Sequence, residues 1–104
     1  MNFKELSADL GLEEDEYREI LELFILSGGA DFQKLQGSLD AGNADQVMRC
    51  AHTIKGAAGN LGLEEVSALA AIIEARALQN RLHDLGAAVL ALKGHFEAIR
   101  AAAR

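Results

Sequence analysis

The stretch His52-Thr53-Ile54-Lys55-Gly56-Ala57-Ala58-Gly59-Asn60-Leu61-Gly62 decides how this chain is read. A helix advances about 100° per residue, so positions three, four and seven apart share a face. His52, Lys55, Gly56 and Gly59 stand in that relation. Val47, Ala51, Ile54, Ala58 and Leu61 form a second stripe at spacings of four and three, the pattern of a buried seam. Measured from Ile54, His52 lies about 160° round the helix and points away from that seam. The stretch therefore predicts an amphipathic helix that keeps its histidine in water.

Outward from this helix, the apolar periodicity predicts further helices on both sides. A short one near Asn2–Leu10 ends at Gly11, a left-handed cap. The next runs from about Glu13 to Ser27 with Tyr17, Ile20, Leu21 and Phe24 on one face, and Gly28-Gly29 breaks or bends the path. Another, from about Ala30 to Asp40, carries Phe32, Leu35 and Leu39. Gly42 ends it, Asn43 caps the motif helix of about Ala44–Leu61, and Gln46 completes an arrangement like a capping box. After Gly62, a helix from about Glu64 to Gln79 buries Val66, Leu69, Ile73 and Ala77. A turn around Asn80–His83 leads to a last helix, where Leu85, Val89, Leu92, Phe96 and Ile99 repeat at four and three. The alanine-rich end, Ala101–Ala103, is expected to fray. Short connections between amphipathic helices imply antiparallel neighbours. The expected fold is all-α: an up-down-up-down four-helix bundle with a short extra N-terminal helix capping one end.

Composition agrees and narrows the partners. The 104 residues suffice for one core and are read as a single domain, residues 1–104. Proline and tryptophan are absent, while alanine, leucine and glutamate dominate, as in all-helical chains. Acidic residues number 16 against 10 basic ones. That balance disfavours nucleic acid and anionic membranes as partners. The densest acid, Glu13-Glu14-Asp15-Glu16, opens a helix, where negative charge suits the macrodipole. The single Cys50 cannot form an internal disulfide and falls on the core side of its helix. No apolar run approaches the roughly 20 residues of a membrane span, and Met1–Leu6 lacks the apolar stretch of a secretory signal. The expected location is the cytoplasm.

The exposed face carries the chemistry. Each glycine inside a helix costs about 1 kcal/mol relative to alanine, so Gly56 and Gly59 need a reason. Both lie outward of the seam, which makes core packing a poor one. Gly56 is one turn beyond His52, where a side chain would shadow the imidazole. Lys55 supplies a cation that a partly desolvated phosphate requires, and Arg49 flanks His52 one turn before it. In an acidic protein this is a local positive spot, suited to holding a phosphoryl group. A catalytic hydrolase histidine would need a nucleophile motif such as G-x-S-x-G, which is absent. His83 and His95 have no ligand-type neighbour at helical spacing and read as a loop and a helix-surface residue, so no metal site is expected.

The His52-x-x-Lys55-Gly56 string resembles the histidine-containing phosphotransfer (HPt) domain, whose signature is a histidine followed at three and four by lysine and glycine. Glu19–Phe24 is similar to that family's preceding helix, and Leu39-Asp40-Ala41-Gly42-Asn43 to its loop before the active helix. The likeness extends from about Tyr17 to Ile73; Ala57 departs from it, standing where the family often has serine. The resemblance implies that His52 accepts a phosphoryl group from a receiver-domain aspartate or a sensor histidine kinase and passes it to a receiver aspartate. It implies a monomeric phosphocarrier rather than an autonomous kinase, with no cofactor of its own and magnesium carried by the receiver. The family commonly places Gln or Glu on the next helix to orient the imidazole. Glu74 is the candidate, about 140° from Leu69 at the border of the buried face, a pattern like that of chemotaxis kinases.

Apolar residues left over outside the seams suggest a docking patch: Ile25, Leu26, Met48 and Leu78, with Arg49 and Gly59 at its margin. The rival reading is a helical adaptor that binds receivers or kinases without phosphotransfer; the intact His52, Lys55 and Gly56 weigh against it. Glu74 favours a domain fed by a kinase, whereas a methionine so near the first helix favours a free-standing relay protein.

Overall fold

The computed structural model describes residues 1–104 and contains five helices and no strand. They are α1 (Phe3–Asp9), α2 (Glu14–Asp40), α3 (Ala44–Asn60), α4 (Glu64–Leu78) and α5 (Gly86–Ala102). The four long helices form the antiparallel bundle, and α1 packs on α2. No helix is long and apolar enough to cross a membrane.

The ends of α3 show why the site-bearing helix begins and stops where it does. Asn43 Oδ1 accepts the Gln46 backbone N–H at 3.1 Å, satisfying one donor of the first turn. The box is only half formed. The Gln46 amide turns to Cys50 Sγ at 3.8 Å, while the Asn43 N–H donates to the Ser38 carbonyl at 2.8 Å. At the other end Gly62 has φ +73°, a left-handed conformation that glycine adopts without penalty. It lets the Leu63 N–H reach back to the Ala58 carbonyl at 2.9 Å and close the helix.

The expected break at Gly28-Gly29 does not occur; α2 runs unbroken through both glycines. The reason is packing. A Cβ on Gly28 would lie 3.1 Å from Cε1 of Phe96 and 3.2 Å from Cε1 of Phe24. Phe96 of α5 stacks on Phe24 at 5.5 Å between ring centres and tilts against Phe32 at the same distance. The missing side chain makes room for the ring cluster that joins the first and last helices of the bundle. α5 likewise stays helical through Ala102, into the alanine-rich end expected to fray.

The seams of α3 and α5 are buried as their spacing predicts, from Val47 to Leu61 and from Leu85 to Ile99. On α4, Val66, Ala70, Ile73 and Ala77 form the buried stripe, and Leu69 lies at its edge, partly covered. Leu39 is also only partly covered. Ile20 departs most: it is 41% exposed rather than part of the core. Tyr17 is fully enclosed, and its hydroxyl donates to the Leu61 carbonyl at 2.7 Å. That bond satisfies an acceptor at the end of α3 and ties it to α2. Burial pushes the Tyr17 phenol above its ordinary value of 10.0.

Candidate functional site

Three side chains meet on the outer face where α3 borders α4. Glu74 of α4 sets Oε2 2.5 Å from Nδ1 of His52 and Oε1 2.5 Å from Nζ of Lys55. His52 and Lys55 are three residues apart on α3, so one carboxylate spans one helical turn. Exposure is graded across the triad: 67% for the His52 side chain, 35% for Lys55 and 13% for Glu74. The acid is nearly covered and the imidazole is in water.

The Lys55 ammonium, bonded to its carboxylate, holds Glu74 below its ordinary value of 4.5; burial opposes this, and the His52 hydrogen bond adds to it. Glu74 is therefore ionised at neutral pH and can only accept. The ring nitrogen facing it must carry the proton, so the bond is donated by His52 Nδ1. That tautomer leaves the lone pair on Nε2, on an imidazole open to solvent. The arrangement is chemically suited to nucleophilic attack from Nε2.

Around this centre the glycines have different surroundings. A Cβ at Gly56 would meet nothing within 4 Å, so the fold does not require glycine there. A Cβ at Gly59 would touch Ser67 Oγ at 3.6 Å, so this glycine faces α4 and packing does bear on it. Arg49 is exposed and bonds Asp45 at 2.9 Å, one turn back on its own helix. His83 is exposed in the loop before α5, and His95 lies 3.5 Å from Glu65 on the surface between α4 and α5.

The apolar residues expected around His52 divide into separate groups. The antiparallel register that sets Glu74 beside His52 and Ser67 beside Lys55 brings Leu78, 66% exposed, level with the partly buried Met48. Leu26 is 73% exposed but lies about 160° from the middle of the buried stripe of α2, turned away from α3. Ile25 is partly buried on the flank of α2 that does not face α3. The flank that does face α3 carries Ile20 and Leu23 instead. With Leu12, Thr53 and Ala57 they line a groove of about 530 Å³, one residue along α3 from His52. Sequence periodicity missed this groove because Ile20 sits close enough to the seam of α2 to be counted into it.

These features define a helical bundle that presents to solvent a histidine tethered by a carboxylate that also binds a lysine. The Hpt domain family model matches residues 19–102, and the chain belongs to that family, the histidine phosphotransfer domains of phosphorelays. Among solved structures it is similar to histidine-containing phosphotransfer protein B from Pseudomonas aeruginosa. The TM-score is 0.84 and the sequences are 26% identical over 94% of this chain and 85% of that one. No curated protein sequence matches the chain.

Proposed function

We propose that His52 is the phosphoacceptor of a relay. Its Nε2 attacks the phosphorus of an aspartyl phosphate on a receiver domain, or of a phosphoryl donor bound to a kinase. A P–N bond forms as the bond from phosphorus to the leaving group breaks, and that group, the receiver's aspartate carboxylate or the remainder of the kinase-bound donor, departs with the electron pair. The same steps in reverse deliver the group to a second receiver. Glu74 orients the ring, and after transfer its carboxylate faces the cationic phosphoimidazole. Lys55 neutralises the phosphoryl oxygens, and the bare backbone at Gly56 admits the group and the incoming protein. Magnesium and the acidic residues that bind it are the receiver's contribution.

The observation that carries this reading is the exposed imidazole with Nδ1 already engaged by Glu74. The groove of Leu12, Ile20, Leu23 and Ala57 beside it suits an apolar helix of the receiver; Arg49 lies between that groove and the histidine, and Met48, Gly59 and Leu78 lie on its α4 side.

The test is incubation with a panel of phosphorylated receivers and kinases, scoring acid-labile, alkali-stable label on the wild type and on His52→Gln. Label on the wild type alone is the expected result. Label that persists on His52→Gln overturns the assignment, and label on neither across the panel returns the adaptor reading.

A further inference from the structure

We infer that Ser67 is a positioning residue for the phosphoacceptor site, acting by locking the register of α4 against α3. Ser67 Oγ donates to the backbone carbonyl of Lys55 at 3.1 Å. Within a helix, a serine or threonine hydroxyl ordinarily bonds back to a carbonyl three or four residues earlier on its own helix. Ser7, Ser38 and Thr53 all do so here, to Lys4, Lys34 and Arg49. Ser67 crosses instead to the neighbouring helix, and it does so at the residue whose side chain completes the site.

The crossing has a steric condition. Gly59 leaves the space next to Ser67 Oγ free of any side chain, since even a Cβ there would stand 3.6 Å from that oxygen. A methyl would make an ordinary contact, whereas a longer or branched side chain would compete for the hydroxyl's position. Gly59 thus has a role in the helix contact that access to His52 does not explain.

The geometric consequence follows from helix periodicity. Ser67 and Glu74 are seven residues apart, so they share a face to within about 20° and are separated by about 10 Å along α4. Both reach α3 at Lys55, Ser67 at its carbonyl oxygen and Glu74 at its ammonium. One residue of the active helix is held at its backbone and at its side-chain tip by two points on α4. This grip sets both the axial position and the rotation of α4. Glu74 needs both settings to bond Lys55 and His52 Nδ1 at once, each at 2.5 Å. A small slide would lengthen one of those bonds and release the tautomer that keeps Nε2 unprotonated.

The kinetic part of this inference rests on the phosphotransfer reading; the tautomer part does not, and is measured on the protein alone. The variants are Ser67→Ala and Ser67→Thr, with Glu74→Ala as the reference for an untethered ring. Ser67→Ala strands no buried acceptor, because the carbonyl of Lys55 keeps its bond within the helix, so the fold is expected to survive. Nitrogen-15 NMR of the His52 ring should show almost only the Nδ1–H tautomer in the wild type. Ser67→Ala should show a mixture shifted toward Glu74→Ala, and Ser67→Thr should restore the wild-type pattern. With a competent receiver, Ser67→Ala should slow transfer at saturation by about fivefold, the scale of one neutral hydrogen bond, with receiver affinity unchanged.

An unchanged tautomer ratio in Ser67→Ala overturns the inference, even if its melting temperature falls, because the bond would then serve stability alone. Label persisting on His52→Gln would instead sink the relay reading and leave the NMR comparison standing.

Discussion

Lys55 holds its ammonium 2.5 Å from Oε1 of Glu74, so the cation proposed to meet the phosphoryl group is already matched by a carboxylate. A phosphoryl group on His52 brings between one and two negative charges at neutral pH, by analogy with other phosphorylated side chains. It would compete with Glu74 for the lysine. At 35% exposure, Lys55 has solvent-side room to turn toward Nε2 while its charge is only partly screened. Lys55→Gln removes the charge while keeping much of the stem. It should slow transfer about tenfold, the loss expected for one charge-assisted hydrogen bond, with Lys55→Arg much closer to wild type. Rates measured with one receiver under single-turnover conditions decide it; an unchanged Lys55→Gln rate would remove the lysine from phosphate binding.

Glu74 makes the stability of the bundle depend on acid. Its carboxyl lies below the ordinary 4.5 when folded, held there chiefly by Lys55. For an acid with a depressed folded pKa, the unfolded state binds its proton first as pH falls. The stabilisation is therefore complete above about 4.5 and is lost as pH drops through the lower folded value. Glu74→Gln should flatten this part of the acid limb. Denaturant unfolding of both proteins, from about pH 6 to about pH 3, should show the variant's deficit shrinking with acid. A deficit constant with pH would mean that the carboxylate's pairing contributes nothing. Glu74→Ala should slow phosphorylation while the bundle remains folded by circular dichroism.

The groove between α2 and α3 predicts a contrast between two exposed leucines of one helix. Leu23 is 65% exposed on the flank that faces α3, and Leu26 is 73% exposed on the outer side. Neither supports the core, so an aspartate at either position should change stability by no more than about 0.5 kcal/mol. Leu23→Asp should weaken receiver binding by about tenfold or more, whereas Leu26→Asp should leave it unchanged. Calorimetric titration with one receiver checks this. The reverse pattern would move the docking face to the outer side of α2.

What was legible in the sequence was local. The stripes of α3 and α5 repeat within their own helices, and the left-handed Gly42 and Gly62 that bound α3 are set by their own backbones, so these parts follow from spacing alone. The orientation of His52 was legible for the same reason. Gly28 was misread as a break because its purpose depends on Phe96, a residue far along the chain on another helix. Ile20 was misread because periodicity gives a residue's angle about its helix but not how closely the neighbouring helix approaches. Ser67 carried no visible signal, since a serine in a helix ordinarily bonds within it.

The ring cluster makes Gly28→Ala a measurable cost. Alanine is worth up to about 1 kcal/mol over glycine in a helix, but the added Cβ would press on Phe96 and Phe24 at 3.1 and 3.2 Å. Phe96 is hemmed between Phe24 and Phe32 and has little room to yield. Overpacking of about 1–3 kcal/mol should prevail, for a net loss near 1 kcal/mol. Gly37, on the same helix with nothing within 4 Å of its Cβ position, is the control. Gly37→Ala should stabilise by about 0.5–1 kcal/mol. Unfolding of the two variants in urea should show opposite signs; a stabilised Gly28→Ala would mean that the ring cluster relaxes freely.

Gly56 separates folding from function most sharply. Its Cβ position is open, so nothing in the fold resists alanine there. Gly56→Ala should raise stability by about 0.5–1 kcal/mol, or several degrees in melting temperature for a domain of this size. The same methyl stands one turn from His52, where the proposed relay has the phosphoryl group and the incoming receiver approach. Transfer should therefore slow by about tenfold, the equivalent of about 1.4 kcal/mol on the barrier, while the tautomer of His52 stays as in the wild type. A variant that is more stable and equally fast would show that glycine is not retained there for access, and the approach of the receiver would then have to avoid that turn of α3.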